Sequence, residues 1–258
     1  MRTVTLRIML VAMLMMLSKY SAGTPIPQQD QDKVNVQSMT VSELDKAGDE
    51  ARGQKDYAQA IRYFREAVRK DRKNSTIYNK LGLAELKNND LGAARADFQK
   101  AIKLNSKYAE AINNLGAVDY MSKNFGSAAK NFKKAVALEE TRPVFHVNLG
   151  AAWFSQKKLE RAVAEYTRAL ELDPEALRQN AKAGVTAQIS SPEERARYSY
   201  MLAKIYARRG DVEGCLQCLK KAKEDGYRDM ANVYKDEEFS RMRENPKLQE
   251  VVPPPMPK

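Results

Sequence analysis

Cysteine and histidine are nearly missing from this chain, with two of the first and one of the second in 258 residues. Two cysteines cannot build a disulfide scaffold, and a single histidine argues against a zinc site made of protein ligands. Glycine and proline are also scarce, at 12 and 10, which disfavours turn-rich all-β folds and collagen-like sequence. What is present is charge and apolar surface in soluble proportions: 43% hydrophobic and 30% charged residues, with a formal charge of +11. That balance argues against wholesale disorder, and the length allows a sizeable core. Composition alone points to a helical, basic protein without a metal.

The apolar run Ile8–Leu17 has ten residues, about half of the ~20 that a membrane-spanning helix needs. Arg2 and Arg7 precede it, and Ser18 and Lys19 come after it. A charged start, a short apolar centre and a small-residue end are the pattern of a secretory signal peptide. Cleavage is expected after Gly23, with Ser21 and Gly23 as the small residues before the bond; a cut after Ala22 would place Tyr20 where a small side chain is preferred. An uncleaved anchor or a misassigned start are the alternatives. Cleavage removes Arg2, Arg7 and Lys19, which takes the charge from +11 to +8. Residues 24–40, with Pro25, Pro27, Gln28, Gln29 and Gln37 and no apolar period, read as a flexible lead-in.

Self-similarity dominates the centre of the chain. Four contiguous stretches of thirty-four residues, 41–74, 75–108, 109–142 and 143–176, carry matched residues at fixed offsets. These are Ala47-Gly48, Leu81-Gly82, Leu115-Gly116 and Leu149-Gly150; then Ala60, Ala94, Ala128 and Ala162; then Phe64, Phe98, Phe132 and Tyr166; then Ala67, Ala101, Ala135 and Ala169. Apolar spacing of three and four predicts two amphipathic helices per unit. The glycine at the eighth position lets the second helix approach closely. Leu44, Tyr78, Ile112 and His146 are expected to fill the wedges between units. One such pair cannot bury its apolar face alone, whereas stacked pairs share a continuous core.

These units resemble the tetratricopeptide repeat over residues 41–176, in length and in the Leu-Gly, Ala and Phe positions. Only the last unit keeps both Trp153 and Pro174; Arg72, Ser106 and Glu140 stand where proline is usual. The resemblance implies an all-α, right-handed solenoid of stacked antiparallel helix pairs. After a break over 177–195 the template returns in Leu202-Ala203, Tyr206, Gly210-Asp211, Cys215, Leu219 and Ala222, so 196–229 is expected to be a divergent fifth unit. Ser191-Pro192-Glu193-Glu194 is a good helix start. Residues 230–252, with Phe239, Met242, Pro246, Leu248 and Val251, resemble the closing segment of some bacterial repeat groups and are expected to form a helical cap. The tail, 253–258, is Pro-rich and reads as extended.

Little in the sequence points to catalysis. Cys215 and Cys218 form a C-x-x-C pair that raises a thiol-redox reading, but the pair falls inside a helix, with Cys215 at the alanine position, where a small buried residue is wanted. Haem attachment would need histidine after Cys218, and Leu219 stands there. His146 occupies a wedge position and reads as core. No glycine-rich phosphate loop precedes a helix. The expectation is a non-enzyme without cofactor or metal.

Function is therefore expected in the groove that the first helices of such arrays line. The sequence places there Asn79, Asn113, Asn114, Tyr120, Met121, Asn148 and Phe154, and beyond them Arg197, Tyr200 and Lys204 at a basic-aromatic end. Asparagine amides both donate to and accept from a peptide backbone, and the resemblance implies that Asn114 and Asn148 could hold an extended peptide. The carboxylate clamp of chaperone-tail-binding arrays is not reproduced: its positions carry Asp45, Asp49, Lys80, Glu110 and Asn114 in one window and Asn79, Leu83, Asn114, Val144 and Asn148 in the next. The reading is an exported protein- or peptide-binding adaptor of the bacterial envelope, periplasmic or secreted. A structural component of an envelope complex is the alternative. Nucleic acid is not an expected partner, because export and the lack of a dense basic stripe outweigh the net charge. Oligomeric state is left open.

Overall fold

The computed structural model describes residues 36–180 and 191–255. The expected signal peptide and most of the lead-in lie outside the described residues, as do 181–190 of the linker and 256–258 of the tail. Among the described residues every regular element is helical. Eight helices form four consecutive pairs: α1 (Val41–Gly53) with α2 (Tyr57–Lys70), α3 (Ser75–Lys87) with α4 (Leu91–Leu104), α5 (Ala109–Met121) with α6 (Phe125–Leu138), and α7 (Pro143–Ser155) with α8 (Leu159–Leu172). The chain continues through α9 (Ala176–Asn180), α10 (Pro192–Arg209), α11 (Val212–Glu224), two 3₁₀ turns (Met230–Tyr234 and Glu237–Met242) and α12 (Pro246–Val251).

Local chemistry starts and stops these helices. Thr40 and Glu43 form a reciprocal capping box on α1, and Asp56, Asn74 and Asp90 each accept a backbone N–H from the third residue of the next helix. Each first helix ends in one residue with left-handed backbone: Lys55, Asn89, Lys123 and Lys157, at φ between 60° and 63°. The two amides after each C-cap turn back on the helix, for example Lys123 N–H to Tyr120 O and Asn124 N–H to Asp119 O, both at 2.9 Å. That closes the orphan carbonyls in a Schellman arrangement.

The pairs are held by a glycine against a ring. A Cβ on Gly116 would stand 2.8 Å from Phe132, and one on Gly150 would stand 2.9 Å from Tyr166. Phe64, Phe98, Phe132 and Tyr166 are fully buried, as are Ala60, Ala94, Ala128 and Ala162. Leu44 and Ile112 fill their wedges; in the second unit Ile77 takes the buried place and Tyr78 is half-buried. His146 is buried too, but as a polar brace: its Nδ1 meets Glu165 Oε2 at 2.7 Å and its Nε2 meets Glu140 O at 2.9 Å.

Packing changes after α8. In the first four units each new first helix runs back along the preceding second helix. After α8, α9 follows the same path and buries Ala176 and Leu177. α10 meets α7 and α8 near its own start and α9 just past its end. Near its start Tyr198 rests on Phe154 and Tyr166, with ring centroids 5.2 and 5.7 Å apart. Just past its end Asp211 pairs with Arg178 of α9 at 3.0 Å. Phe239, Leu248 and Val251 of the closing segment bury against the α10–α11 pair, and Lys223 and Tyr234 donate to the carbonyls of Val251 and Val252.

One acid pair lies between the two helices of the second unit. Glu85, 1% exposed, accepts from Arg65 at 2.9 Å. Burial, together with a hydrogen bond to Glu85 and its charge, pushes the Asp97 carboxyl up to about 8. One unit on, the same two positions hold Asp119 and Asn131, and the Asn131 amide donates to Asp119 at 2.8 Å. Asp97 thus acts as a protonated stand-in for that amide. Because its folded pKa lies above its unfolded value, the stability it supports is complete below about pH 4 and is lost as pH rises towards 8. The Asp97→Asn variant is expected to exceed the native chain in stability by ~1–2 kcal/mol at pH 8, with the gap closing by pH 4. Urea unfolding at the two pH values reads it.

Candidate functional site

A polar ladder runs along the first helices, and its rungs join residues thirty-five apart. Lys80 reaches back to Asp45 and Asp49, each at 2.7 Å. Asn114 Nδ2 donates to Asn79 Oδ1 at 2.9 Å, and Asn148 Nδ2 to Asn113 Oδ1 at 3.0 Å. Asn113 in turn donates to Asn114 Oδ1 at 3.5 Å and Asn79 to Tyr108 Oη at 3.3 Å, so four amides form one chain. Asn79, Asn113 and Asn148 are buried at 5%, 7% and 5% exposure. The spacing comes from the stacking, since the sixth side chain of one unit lies over the fifth of the unit before. The sequence reading has these amides facing a ligand; they face each other instead, because the neighbouring unit brings a partner within reach. An unpaired buried amide would be costly, so the mutual pairing gives them a structural role.

The other expected groove residues come together. Tyr120, Met121, Phe154, Arg197, Tyr200 and Lys204 line one cleft of about 1010 Å³, between the ends of α5 and α7 on one side and α10 on the other. Its floor is aromatic and apolar. Tyr120 packs edge-on against Phe125 and hydrogen-bonds Ser155 at 2.8 Å, and Phe154 lies under Tyr198. Tyr200 stacks on Tyr227 at 4.2 Å and donates to Asp236 at 2.9 Å. Burial and the Asp236 carboxylate hold the Tyr200 phenol far above its usual range, so it acts only as a donor.

The expected basic end is largely neutralised. Lys204 pairs with Asp236 and Glu238 at 3.2 Å each, and Arg208 pairs with Glu238 at 2.7 Å. These partners come from the closing segment, beyond the repeats from which the groove is placed in the sequence. Among the described residues, three cleft cations form no ion pair: Lys123, Lys157 and Arg197.

Several lining residues are not anticipated by the sequence: Lys123, Phe125, Lys157, Leu159 and Val163. They belong to the turns and the starts of second helices, outside the first helices from which the groove is placed in the sequence. The signal for them is the register break after Ala176. The turn lysines are also conformationally costly, since the left-handed region disfavours any side chain with a Cβ; the fifth pair uses Gly210, at φ 76°, in the same place. Replacing Lys123 or Lys157 by glycine is expected to raise stability by ~0.5–1 kcal/mol each. Thermal unfolding checks this, and a loss would contradict the backbone argument.

The cysteine pair sits away from the cleft. Both sulfurs are unpaired, with Cys215 buried and Cys218 half-buried. Burial pushes both thiols up to about 12, with each group's charged neighbours secondary. Thiols held in that state are poor nucleophiles.

Residues 46–112 and 143–176 each match a family model described as tetratricopeptide repeat. No curated protein matches the chain. Among solved structures, MamA 41-end from Desulfovibrio magneticus RS-1 is similar at 20% identity and a TM-score of 0.51, covering 71% of this chain and 93% of that one. A crystal structure of MamA protein is similar at 20% identity and a TM-score of 0.50, over 76% of this chain and 95% of the other. At that identity the likeness speaks to fold alone, and it agrees with the sequence matches and the helix pairing. Residues 46–112 and 143–176 are similar to tetratricopeptide repeats, and the described helix pairs stack as an α-solenoid.

Proposed function

We propose that the chain is an exported adaptor that holds a segment of another protein in the cleft between its third and fourth units and α10. The observation that carries this reading is Leu159, 48% exposed, on an apolar floor with Phe154, Met121 and Val163, beside the unpaired cations Lys123, Lys157 and Arg197. Apolar surface collected in a concave site with a few free charges on its walls suits recognition. The catalytic alternatives lack comparable support, because the only C-x-x-C pair carries protonated, packed thiols.

Export rests on Arg2, Arg7 and the Ile8–Leu17 run ahead of Gly23, and the bacterial setting on the resemblance of residues 230–252 to a closing segment of bacterial repeat groups. No described helix is long and apolar enough to cross a membrane.

The test is cross-linking in the native cell with the unaltered chain and with a Leu159→Asp, Arg197→Glu double variant. Both sites are exposed, so the variant should unfold at the same urea concentration as the native chain. Partner recovery is expected to fall at least about tenfold, and the recovered chain should begin at Thr24. Equal recovery from the two would sink the cleft as the binding site.

A further inference from the structure

The outer side of the array, formed by the second helices, carries a charge pattern that no single segment shows. In each unit the second helix buries its twentieth, twenty-fourth and twenty-seventh positions, as Ala94, Phe98 and Ala101 do in α4. Its twenty-second, twenty-fifth, twenty-sixth and twenty-ninth positions therefore point away from the core. There stand Arg62 in α2, Lys100 and Lys103 in α4, and Lys130, Lys133 and Lys134 in α6. Lys100 lies over the Tyr78 ring, 5.8 Å from its centroid, and the other five are exposed. None of the six forms an ion pair among the described residues, whereas the remaining charges at these positions do: Arg65 with Glu85 at 2.9 Å and Glu66 with Arg69 at 2.6 Å. Within α4 and α6 the one acid is Asp97, and acids return only after α6, at Glu139 and Glu140. The sequence shows no dense basic stripe because these cations are spread over three helices; stacking sets the helices side by side.

The chain itself holds too few acids to neutralise this face. Outside the described residues, 1–35, 181–190 and 256–258 contain two acidic side chains, Asp30 and Asp32. A second copy is a poor complement, because in the acid-rich fourth unit Glu165, Glu171 and Glu175 are already paired with His146, Arg168 and Arg178 at 2.7, 3.1 and 2.7 Å. The face also differs from a nucleic-acid site. Among the described residues no aromatic side chain is exposed, so it has no platform for stacked bases. Five of the six cations are lysines, point charges without the fork that reads a base edge. One apolar group stands among them: Leu138, 37% exposed, one turn past Lys134. Lysines around an exposed leucine suit a bilayer surface, where the ammonium groups meet headgroup phosphates and the leucine reaches the acyl boundary.

We propose that the outer side of α2, α4 and α6 docks the protein on an anionic lipid bilayer, with these six cations on the headgroups and Leu138 at the acyl boundary. In that pose the first helices, and the groove they line, face away from the lipid. The docking goes beyond the adaptor reading and does not depend on it, because it uses the second helices of the first three units and not the cleft. Each lysine or arginine at an anionic bilayer strengthens binding about fivefold, and salt screens the attraction.

The probes are vesicles of phosphatidylglycerol and phosphatidylcholine in equal parts and vesicles of phosphatidylcholine alone, each titrated against the full chain by co-sedimentation. Binding is expected to be at least about thirtyfold tighter to the anionic vesicles and to weaken as salt is raised. A Lys103→Gln, Lys133→Gln, Lys134→Gln variant should bind them at least about thirtyfold more weakly than the native chain. A Lys46→Gln, Lys55→Gln, Lys87→Gln variant loses the same charge from the first helices and their ends, and should lose less than about threefold. All six sites are exposed, so both variants should unfold at the native urea concentration. Equal losses in the two variants, or equal binding to the two kinds of vesicle, would overturn the proposal. So would tighter binding to duplex DNA at the same phosphate concentration, which would assign the face to nucleic acid. A dimer that the first variant abolishes, without vesicle binding, would assign it to a second copy and overturn the proposal as well.

Discussion

Glycine against an aromatic ring, repeated every thirty-four residues, is the contact on which the array depends. Gly48, Gly82, Gly116 and Gly150 each lie so close to Phe64, Phe98, Phe132 or Tyr166 that a Cβ would overlap the ring. That contact sets the distance between the helices of a pair, and alanines opposite keep it short. Once the distance is the same in every unit, units stack with one geometry and side chains thirty-five apart meet. The Lys80 bridge to Asp45 and Asp49 and the asparagine chain from Asn148 to Asn79 both result from it. In such arrays stability is close to a sum over units and their shared interfaces, so a polar ladder that spans interfaces tightens each against slippage.

The same rule explains the cleft by its failure. After α8 the chain keeps register in α9, and α10 meets α7 and α8 through Tyr198 and α9 through Asp211 and Arg178. Among the described residues Leu159 at the start of α8 is exposed, and α10 with the closing segment walls the cleft from the other side. Charge is settled there by Asp236 and Glu238, which neutralise Lys204 and Arg208 and leave Lys123, Lys157 and Arg197 free. The cleft forms where regular repetition gives way to α10 and the closing segment, not at a motif.

That difference decides what could be read from the sequence. The fold was legible because close packing admits few residues: Gly116 and Ala128 leave no choice at their positions, and the same demand recurs in each unit. That Tyr120, Met121, Phe154, Arg197, Tyr200 and Lys204 share one cleft was legible because the first helices present those positions to one side. The mutual pairing of the asparagines was not legible, because whether an amide is free depends on what stands one unit away. Asn113 and Asn148 satisfy each other only once the units are stacked. Leu159 and Val163 were illegible for the opposite reason: nothing in their own segment marks them, and the cleft they line is walled by α10 and the closing segment, far along the chain. The pairing of Lys204 with Asp236 and Glu238 likewise belongs to tertiary structure, joining residues more than thirty positions apart.

Whether interrupted register opens the site is tested at one position compared across units. Val163 and Ala129 hold the same place in successive units, the first lining the cleft and the second 2% exposed. Each is replaced by cysteine in turn, in a chain whose own Cys215 and Cys218 are already changed to alanine, and alkylation of the folded protein is timed. The thiol at 163 is expected to react within about tenfold of a free thiol, and the one at 129 only on unfolding. Equal protection of the two would show that α8 is covered as fully as α6, and would contradict an open cleft.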